Sequence, residues 1–148
     1  AISVVSKLGV DAETIKEALL NVRVPGRSEL VDNKKGLTIM IDYAHSPESL
    51  QSILSAVKSY TRGKVISVFG NPRTEDPDTI VNEIEVGAKK AKGKYKKIVN
   101  RTEAIKYAIN MASKNDIIVL AGKGHETYQE INGIKHHYDE REIIKEVI

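Results

Sequence analysis

Residues 37–69 read LTIMIDYAHSPESLQSILSAVKSYTRGKVISVF, and this stretch decides the fold. The apolar run at 37–41 is short and partly β-branched, which predicts a buried strand. Ser46 followed by Pro47 is typical of a helix N-terminus, and the residues behind it recur at helical spacing: Leu50, Ile53, Leu54 and Val57. Residues 64–69 predict a second buried strand. The stretch is therefore a strand–helix–strand unit.

The same alternation between strand-like and helix-like patterns of apolar residues continues through the rest of the chain. Three further helices are predicted from capping residues: 12–22 after Asp11, 102–113 with Thr102 as its cap, and a C-terminal helix after Asp139. The other predicted elements are a helix from the Asp76-Pro77 cap to about Ala91, a weak strand over 95–99, a buried strand over 117–121 and a hairpin turning at Asn132-Gly133. Such units predict an α/β fold, a mostly parallel sheet with helices on both faces.

Composition restricts the class of protein. The 148 residues are 41% hydrophobic and 29% charged, which is typical of a globular domain with a core of its own. No apolar run approaches the roughly 20 residues of a membrane span, and the N-terminus has no export-signal pattern. The absence of cysteine excludes disulfides and thiolate metal sites, and it favours a cytoplasmic location.

The formal net charge of +3 leaves a nucleic-acid-binding role open as an alternative. Most of the excess lies in the basic run at 89–97, which has one aromatic residue, Tyr95. A solvated helix end and loop explains that run better than a phosphate-binding patch does. With only 5% aromatic residues and no Trp, stacking platforms for single-stranded nucleic acid are scarce.

Three segments rich in reactive residues follow predicted strands or the loops after them: DYAHSP from Asp42, GNPRTEDP from Gly70 and GKGHE from Gly122. Ligands bind beyond the carboxyl ends of parallel strands, so we expect the three segments to converge at one edge of the sheet.

The GKGHE segment brings backbone N–H groups, an ammonium and a carboxylate near one another. It is not a P-loop, because GxxxxGK[ST] is absent. A tight turn with Lys123 and Glu126 facing solvent explains the segment about equally well, and His125 is then a surface histidine.

In DYAHSP, Asp42 and His45 leave a strand just before a helix N-terminus, which favours anions. Asp42 is a candidate ribose acceptor and His45 a candidate phosphate neighbour, although Asp42 capping its own loop is an equally good interpretation. We expect no metal site, because no second histidine stands at ligand spacing to His45, while His136 and His137 point apart on a strand. Arg27 and Arg73 are candidate carboxylate or phosphate clamps.

Four motifs stand in order along nearly the whole chain: VPGRSE, IDYAHSPESL, NPRTEDP and LAGKGHETYQ. In this order they resemble the C-terminal portion of the Mur ligases, and within that family its diaminopimelate-adding branch. The resemblance implies an ATP-dependent, amide-forming ligase of peptidoglycan synthesis that adds meso-diaminopimelate to UDP-N-acetylmuramoyl-alanyl-glutamate. It implies an acyl phosphate on the glutamate carboxylate, attacked by the incoming amine.

The resemblance also implies roles for single residues. Arg27 and Asp42 match the family's residues for nucleotide phosphate and ribose, and His45 lines the ATP side. For the amino acid, the resemblance assigns the remaining positions: Arg73 for the far carboxylate with Asn71 assisting, and Gly122 and Glu126 for the distal amino and carboxylate end.

The implied fold is a Rossmann-like α/β domain over residues 25–148, with residues 1–24 as a linker or the end of a central ATPase domain. The family has a strand–helix segment where Gly70 here runs straight into Asn71, so that segment is expected to be missing. Asn100 also stands where the family usually has an aspartate before Arg101.

Other parts of such a ligase are absent from the 148 residues. ATP and Mg²⁺, as well as the UDP-N-acetylmuramoyl-dipeptide, are expected to be bound mainly by the absent domains, so the chain alone is expected to be inactive. A lysine-adding ligase and a folylpolyglutamate-type ligase remain alternatives, although Asn71-Pro72-Arg73 disfavours the first and GKGHE the second.

Overall fold

The computed structural model describes residues 2–20, 22–70, 94–131 and 133–148. Within these ranges the helices are α1 (Ile2–Lys7), α2 (Ala12–Leu20), α3 (Pro47–Tyr60), α4 (Arg101–Met111) and α5 (Glu140–Val147). The strands are β1 (Glu29–Leu30), β2 (Thr38–Asp42), β3 (Val65–Val68), β4 (Ile117–Ala121), β5 (Tyr128–Ile131) and β6 (Ile134–His137). The helix predicted from the Asp76-Pro77 cap to about Ala91 lies outside the described residues.

Four strands form one sheet in the order β1-β2-β4-β3. The strands β2, β4 and β3 are parallel, and β1 joins the edge of β2 in the antiparallel sense. Because β2 and β3 pair with the same stretch of β4, the carboxyl ends of all three lie at one edge. The mostly parallel α/β fold is thereby confirmed. The two-residue strand β1 was not predicted, since it is too short to show a period.

Helices cover both faces of this sheet, as predicted. On one face, Ile39, Ile41 and Ile118 pack in a core with residues of α4 and α5, including Ile105 and Ile144. On the other face, the strand residues Met40 and Val119 pack with α3 through Val57. All five residues of β4 are buried, because that strand is central and covered on both faces.

Helix α3 begins at the carboxyl end of β2, where the sequence predicted it. The Ser46 side chain accepts a hydrogen bond from Ser49 N at 3.2 Å, and Ser49 Oγ reaches back to the Ser46 backbone, which is a capping box. Pro47 occupies the first helical position, where its missing N–H costs nothing. The N-terminus of α3 therefore points at the edge where the strands end.

The predicted cap of α4 is wrong. The N-cap is Asn100, whose side-chain oxygen accepts a hydrogen bond from Glu103 N at 3.1 Å, while Thr102 lies inside the helix. Asparagine and aspartate are about equally good N-caps. Asn100 therefore fills the capping role that an aspartate could have at this position.

Two other expectations differ from the structure. Residues 95–99 form no strand in the described structure, and Tyr95, Lys96 and Lys97 are exposed rather than buried as a core strand would be. Helix α2 ends at Leu20, short of the predicted end.

The predicted hairpin is confirmed as β5–β6, and Asp139 caps α5 by accepting a hydrogen bond from Arg141 N at 2.9 Å.

The helices α1 and α2 contact each other and bury none of their side chains. Large apolar residues on them are exposed, among them Ile2, Val4, Leu8, Leu19 and Leu20. They add nothing to the core of the sheet. In the described ranges, no helix has both the length and the apolar character needed to cross a bilayer.

Replacing Asn100 by Ala should lower the free energy of unfolding by about 1 kcal/mol, because α4 loses the side chain that caps it. Asn100→Asp should stay near wild type. The measurement is urea denaturation at pH 7 followed by circular dichroism.

Thr102→Ala is the matched control, since the Thr102 hydroxyl donates a 3.3 Å hydrogen bond to the Tyr138 hydroxyl instead of capping the helix. A larger loss for Thr102→Ala than for Asn100→Ala would restore Thr102 as the residue that fixes the start of α4.

Candidate functional site

Two of the three predicted segments meet at the carboxyl edge of the sheet. Gly122 N donates a hydrogen bond to Asp42 O at 3.0 Å, which joins the ends of β4 and β2. Gly70, the last described residue after β3, stands close by, since a Cβ on Gly122 would lie 3.2 Å from Gly70 O. The predicted convergence therefore holds for DYAHSP and GKGHE. Residues 71–77 of the third segment lie outside the described residues.

The loop before β1 joins the same edge through glycine contacts. Gly26 has φ +69°, and a Cβ on it would lie 2.0 Å from His125 N. Gly124 has φ +57°, and a Cβ there would lie 2.8 Å from both Gly26 O and Tyr43 Cβ. Both positions need glycine for the backbone angle and for space. Two loops about 100 residues apart in sequence thus touch backbone to backbone.

Tyr43 lies at the centre of these loops, and its ring is bordered by three polar side chains. The Arg27 guanidinium carbon is 4.6 Å from the ring centroid, the His45 ring is 4.8 Å away edge-on, and the His125 ring is 5.5 Å away. We call these four residues the Tyr43 stack. The Arg27, His45 and His125 side chains are exposed, whereas Tyr43 is half-buried.

Asp42 ties two loops together. Its Oδ2 accepts hydrogen bonds from Ser28 N at 2.8 Å and Ser28 Oγ at 3.3 Å, and its Oδ1 accepts one from Ala44 N at 2.8 Å. Ser28 has φ +46°, so these bonds hold a non-glycine residue in the left-handed region. The interpretation of Asp42 as a loop-capping residue is therefore correct. Oδ1 accepts one hydrogen bond and so has a further lone pair that a ribose hydroxyl can use.

Lys123 and Glu126 do not face solvent, contrary to the simple-turn interpretation. Lys123 is 0% exposed and Glu126 7%. Lys123 Nζ donates to Tyr128 O, stands 3.9 Å from Glu126 Oε2 and lies 5.1 Å from the Tyr138 ring centroid. A buried ammonium is tolerated only with such partners. Burial also raises the pKa of the Tyr138 hydroxyl above its ordinary value.

Arg141 of α5 clamps the loop before β1. Its guanidinium donates to both oxygens of Glu29, with Nε 2.9 Å from Oε1, and also to Asp139 Oδ1 at 3.1 Å and Gly124 O at 3.4 Å. Glu29 in turn accepts a bond from Gly26 N at 2.6 Å. The hydrogen bonds from Arg141 hold the pKa of the Glu29 carboxyl below its ordinary value. The same pairing raises the pKa of Arg141.

Arg101 supports the end of β4. Its Nη2 donates to Ala121 O at 2.9 Å, directly before Gly122, and its Nε is paired with the buried carboxylate of Glu140. Glu140 Oε2 is buried and has no hydrogen-bond partner among the residues that the structure describes. The turn that begins at Gly122 thus starts from a carbonyl fixed by an internal ion pair.

The structure brings together five of the seven predicted site residues at one edge: Arg27, Asp42, His45, Gly122 and Glu126. Asn71 and Arg73 lie outside the described residues. Within residues 2–20, 22–70, 94–131 and 133–148, no group of three or more His, Asp or Glu side chains is arranged to hold a metal ion.

Sequence comparison identifies the family of this domain. The sequence profile of the family described as "Mur ligase, glutamate ligase domain" matches residues 26–71 and 70–124. The chain belongs to the Mur ligase family. The match takes in Arg27, Tyr43 and His45 of the Tyr43 stack and the turn from Gly122 to Gly124, and it ends one residue before His125.

Curated Mur ligases match the chain nearly from end to end. A UDP-N-acetylmuramoyl-L-alanyl-D-glutamate--2,6-diaminopimelate ligase of Clostridioides difficile is 38% identical over 171 residues, covering 95% of this chain and 35% of its own length. A ligase of the same name from Caldanaerobacter subterraneus is 40% identical over 177 residues, covering 100% of this chain and 37% of its own. The chain therefore spans about a third of the length of these relatives.

The alignments also bear on the junction between Gly70 and Asn71. They run over 171 and 177 residues although this chain has 148, so the relatives carry residues with no counterpart here. The family profile matches in two pieces that meet at residues 70 and 71. Both findings agree with a segment of the Mur ligase domain missing at that junction.

Solved structures agree on the fold. The structure of a UDP-N-acetylmuramoyl-L-alanyl-D-glutamate--2,6-diaminopimelate ligase superposes with a TM-score of 0.74 at 28% identity, over 97% of this chain and 35% of the other. A bifunctional folylpolyglutamate synthase/dihydrofolate synthase, solved with Mn, AMPPNP and L-glutamate, gives a TM-score of 0.54 at 18% identity over 78% of this chain and 33% of the other. The second likeness concerns the fold alone.

Sequence reasoning missed three features of this edge: Tyr43 as its centre, Arg141 as its clamp and the burial of Lys123. Tyr43 was signalled only by its place between Asp42 and His45. Arg141 gave no local signal, because its partner Glu29 is 112 residues away.

Replacing Gly26 by Ala should lower the free energy of unfolding by more than Gly36→Ala does. Both glycines have positive φ, +69° and +63°, so the backbone strain is matched, but only at Gly26 does a Cβ meet other atoms. The measurement is thermal and urea denaturation of the two variants beside wild type.

Gly36→Ala should cost about 1 kcal/mol, and Gly26→Ala should exceed that by several kcal/mol or prevent folding. Equal losses would mean that the contact between the two loops contributes nothing to stability.

The Glu29–Arg141 pair should make stability depend on pH. The folded-state pKa of Glu29 lies below the ordinary value of 4.5, so its stabilisation is present above pH 4.5 and lost as pH falls through the folded value. Wild type should therefore exceed Glu29→Gln in unfolding free energy at pH 7, and the difference should shrink towards pH 3. Denaturant titrations at a series of pH values measure this.

Glu130→Gln, a change at an exposed carboxylate on β5, is the control for the loss of one charge. A difference between wild type and Glu29→Gln that is constant from pH 7 to pH 3 contradicts the assignment.

Proposed function

We propose that this chain is the C-terminal domain of an ATP-dependent ligase that adds meso-diaminopimelate to UDP-N-acetylmuramoyl-L-alanyl-D-glutamate. The observation that carries the proposal is the similarity at 38% and 40% identity to ligases of that name over 95% and 100% of the chain. The region of similarity includes the edge of the sheet at which the described site residues meet. The superposition with a TM-score of 0.74 on a ligase of the same name supports it.

The amino-acid side of the site is formed by Gly122 and Glu126, joined by Asn71 and Arg73. A zwitterionic amino-acid terminus needs a carboxylate for its ammonium and a guanidinium for its carboxylate. Glu126 is 7% exposed and lies on a turn held by Lys123, so its carboxylate is in a fixed place. Arg73, which directly follows Pro72 in the sequence, supplies the guanidinium in this proposal, and Asn71 assists it.

The nucleotide side is formed by Arg27, Asp42 and His45 beside the N-terminus of α3. Arg27 and His45 are exposed, and the N-terminus of a helix favours anions such as phosphate. Asp42 is nearly buried and holds Ser28, so a ribose hydroxyl would use a lone pair that Ser28 and Ala44 leave. These residues fit the binding of ATP at its ribose and phosphates.

Mg²⁺ does not fit the described residues, which hold no group of three His, Asp or Glu side chains arranged for a metal. Acyl-phosphate chemistry needs cations beside the transferring phosphoryl group, because they neutralise the negative charge of its oxygens. We therefore assign Mg²⁺, most of the ATP contacts and the UDP-N-acetylmuramoyl-dipeptide to the remainder of the ligase. This chain alone should make no amide, and its part is to present the amino acid and close over the nucleotide.

We divide the chain at residues 24 and 25. Residues 25–148 are the Mur ligase C-terminal domain, and residues 1–24 are a linker or the end of the central ATPase domain. The support is that α1 and α2 bury no side chain and expose large apolar residues, whereas the family profile begins at residue 26.

In the full-length ligase that contains this chain, Arg73→Ala should raise the KM for meso-diaminopimelate about ten- to a hundredfold, because a charge-assisted hydrogen bond is lost. The KM for ATP should change by less than about threefold. The assay is amide formation on UDP-N-acetylmuramoyl-L-alanyl-D-glutamate, with meso-diaminopimelate and lysine compared as amines.

Arg62→Ala is the matched control, since Arg62 is an exposed arginine at the opposite end of the sheet, before β3. Its KM values should equal those of wild type. An equal rise of both KM values in Arg73→Ala would remove Arg73 from the amino-acid site. A wild-type enzyme that prefers lysine would overturn the proposed substrate.

A further inference from the structure

Tyr43 is the one side chain of the Tyr43 stack that the other three border. It follows the last residue of β2 and contacts loops that begin far away in sequence. Arg27 precedes β1, and His125 belongs to the turn after β4. The ring thus lies between the segment assigned to the nucleotide and the segment assigned to the amino acid.

We propose that Tyr43 is a positioning residue that orders the Arg27 guanidinium and the turn at 122–126 together, so that the two ligand-binding segments share one support. The proposal rests on the proposed function, since that function assigns Arg27 to the nucleotide and Gly122 and Glu126 to the amino acid. The proposal adds Tyr43 to the site as a residue that acts through its neighbours and makes no ligand contact of its own.

The first step concerns Arg27. Its side chain is exposed, so an unsupported guanidinium would sample many rotamers and lose that freedom on binding phosphate. The guanidinium carbon lies 4.6 Å from the Tyr43 centroid, within cation–π range. A guanidinium stacked by its face still presents its N–H donors at the edge, where a phosphate would lie. Tyr43 therefore orders Arg27 without using the donors that a nucleotide needs.

The second step concerns the turn at 122–126. Gly124 passes so close to Tyr43 that a Cβ on the glycine would lie 2.8 Å from Tyr43 Cβ and 3.0 Å from ring atom Cδ2. The His125 ring lies against the same tyrosine at 5.5 Å. The ring thus limits where this turn can move. The turn carries Gly122 at its start and Glu126 at its end, so a change at Tyr43 should affect the amino-acid site as well.

The third step concerns His45. Its Nδ1 is 2.8 Å from Tyr43 O, and its ring meets the tyrosine ring edge-on at an interplanar angle of 67°. The imidazole is held by the backbone and the ring of the same residue. Losing the aromatic ring would therefore free Arg27 and remove the ring contact of His45, while the backbone contact of His45 and the β2 register that fixes Asp42 would remain.

The test is a double-mutant cycle in the full-length ligase, with Tyr43→Ala, Arg27→Ala and the double variant. Tyr43→Ala should raise the KM for ATP about three- to thirtyfold, the range of a cation–π contact, and should also raise the KM for meso-diaminopimelate. In the Tyr43→Ala background, Arg27→Ala should have a much smaller effect than in wild type. Tyr43→Phe keeps the ring and should restore both KM values.

Several outcomes overturn the proposal: unchanged KM values in Tyr43→Ala, equal effects of Arg27→Ala in both backgrounds, or Tyr43→Phe behaving like Tyr43→Ala. If Tyr43 only stabilised the fold, Tyr43→Ala would lower the melting temperature, but Arg27→Ala would still raise the KM for ATP in the Tyr43→Ala background. Should Tyr43→Ala fail to fold, Tyr43→Leu takes its place in the cycle, with ATP affinity measured by calorimetry.

Failure of the proposed function has a different signature. A wild-type ligase that forms no amide with meso-diaminopimelate contradicts the function. An active wild-type enzyme whose cycle is additive contradicts only the role of Tyr43.

Discussion

The parallel register between β2 and β4 is the constraint on which the rest of the site depends. Asp42 pairs with Ala121 at the last position of the ladder, so the residues that follow both strands emerge side by side. The bond from Gly122 N to Asp42 O extends this pairing one step into the loops. A shift of one residue would turn every side chain of β2 to the opposite face and would separate Tyr43 from Gly124.

That register is held by burial on both faces of the sheet. Ile39, Ile41, Ile118 and Leu120 are nearly inaccessible on the face covered by α4 and α5, and Met40 and Val119 are buried under α3. Fully burying an aliphatic side chain of this size stabilises the fold by roughly 1.5–3 kcal/mol. The core therefore fixes the strands, and the strands fix the loops that carry the candidate site.

Charged groups fix the loops further. Arg141 joins Glu29 and Gly124 O, Lys123 joins Tyr128 O and Glu126, and Arg101 joins Glu140 and Ala121 O. Each cation thus links a charged partner to a backbone carbonyl of the turn or its neighbours. A buried charge is costly unless it has such partners, so removing one member leaves the other uncompensated. Together these pairs hold the loops at the carboxyl edge in one arrangement.

The sequence by itself determined the fold class, most of the described elements and the positions of the motifs proposed to bind ligands. Helical and strand periods, the Ser46-Pro47 start of α3 and the apolar run of β4 depend on neighbours in the chain, and such local signals can be read from sequence. The order of four motifs also identified the family. Local signals misplaced the cap of α4, because Asn100 and Thr102 are both good capping residues, and only the backbone decides between them. The tertiary structure alone decided that Tyr43 is the centre of the site, that Lys123 is buried and that Arg141 pairs with Glu29. Those contacts join residues distant in sequence, and they exist only once the sheet has brought its loops to a common edge.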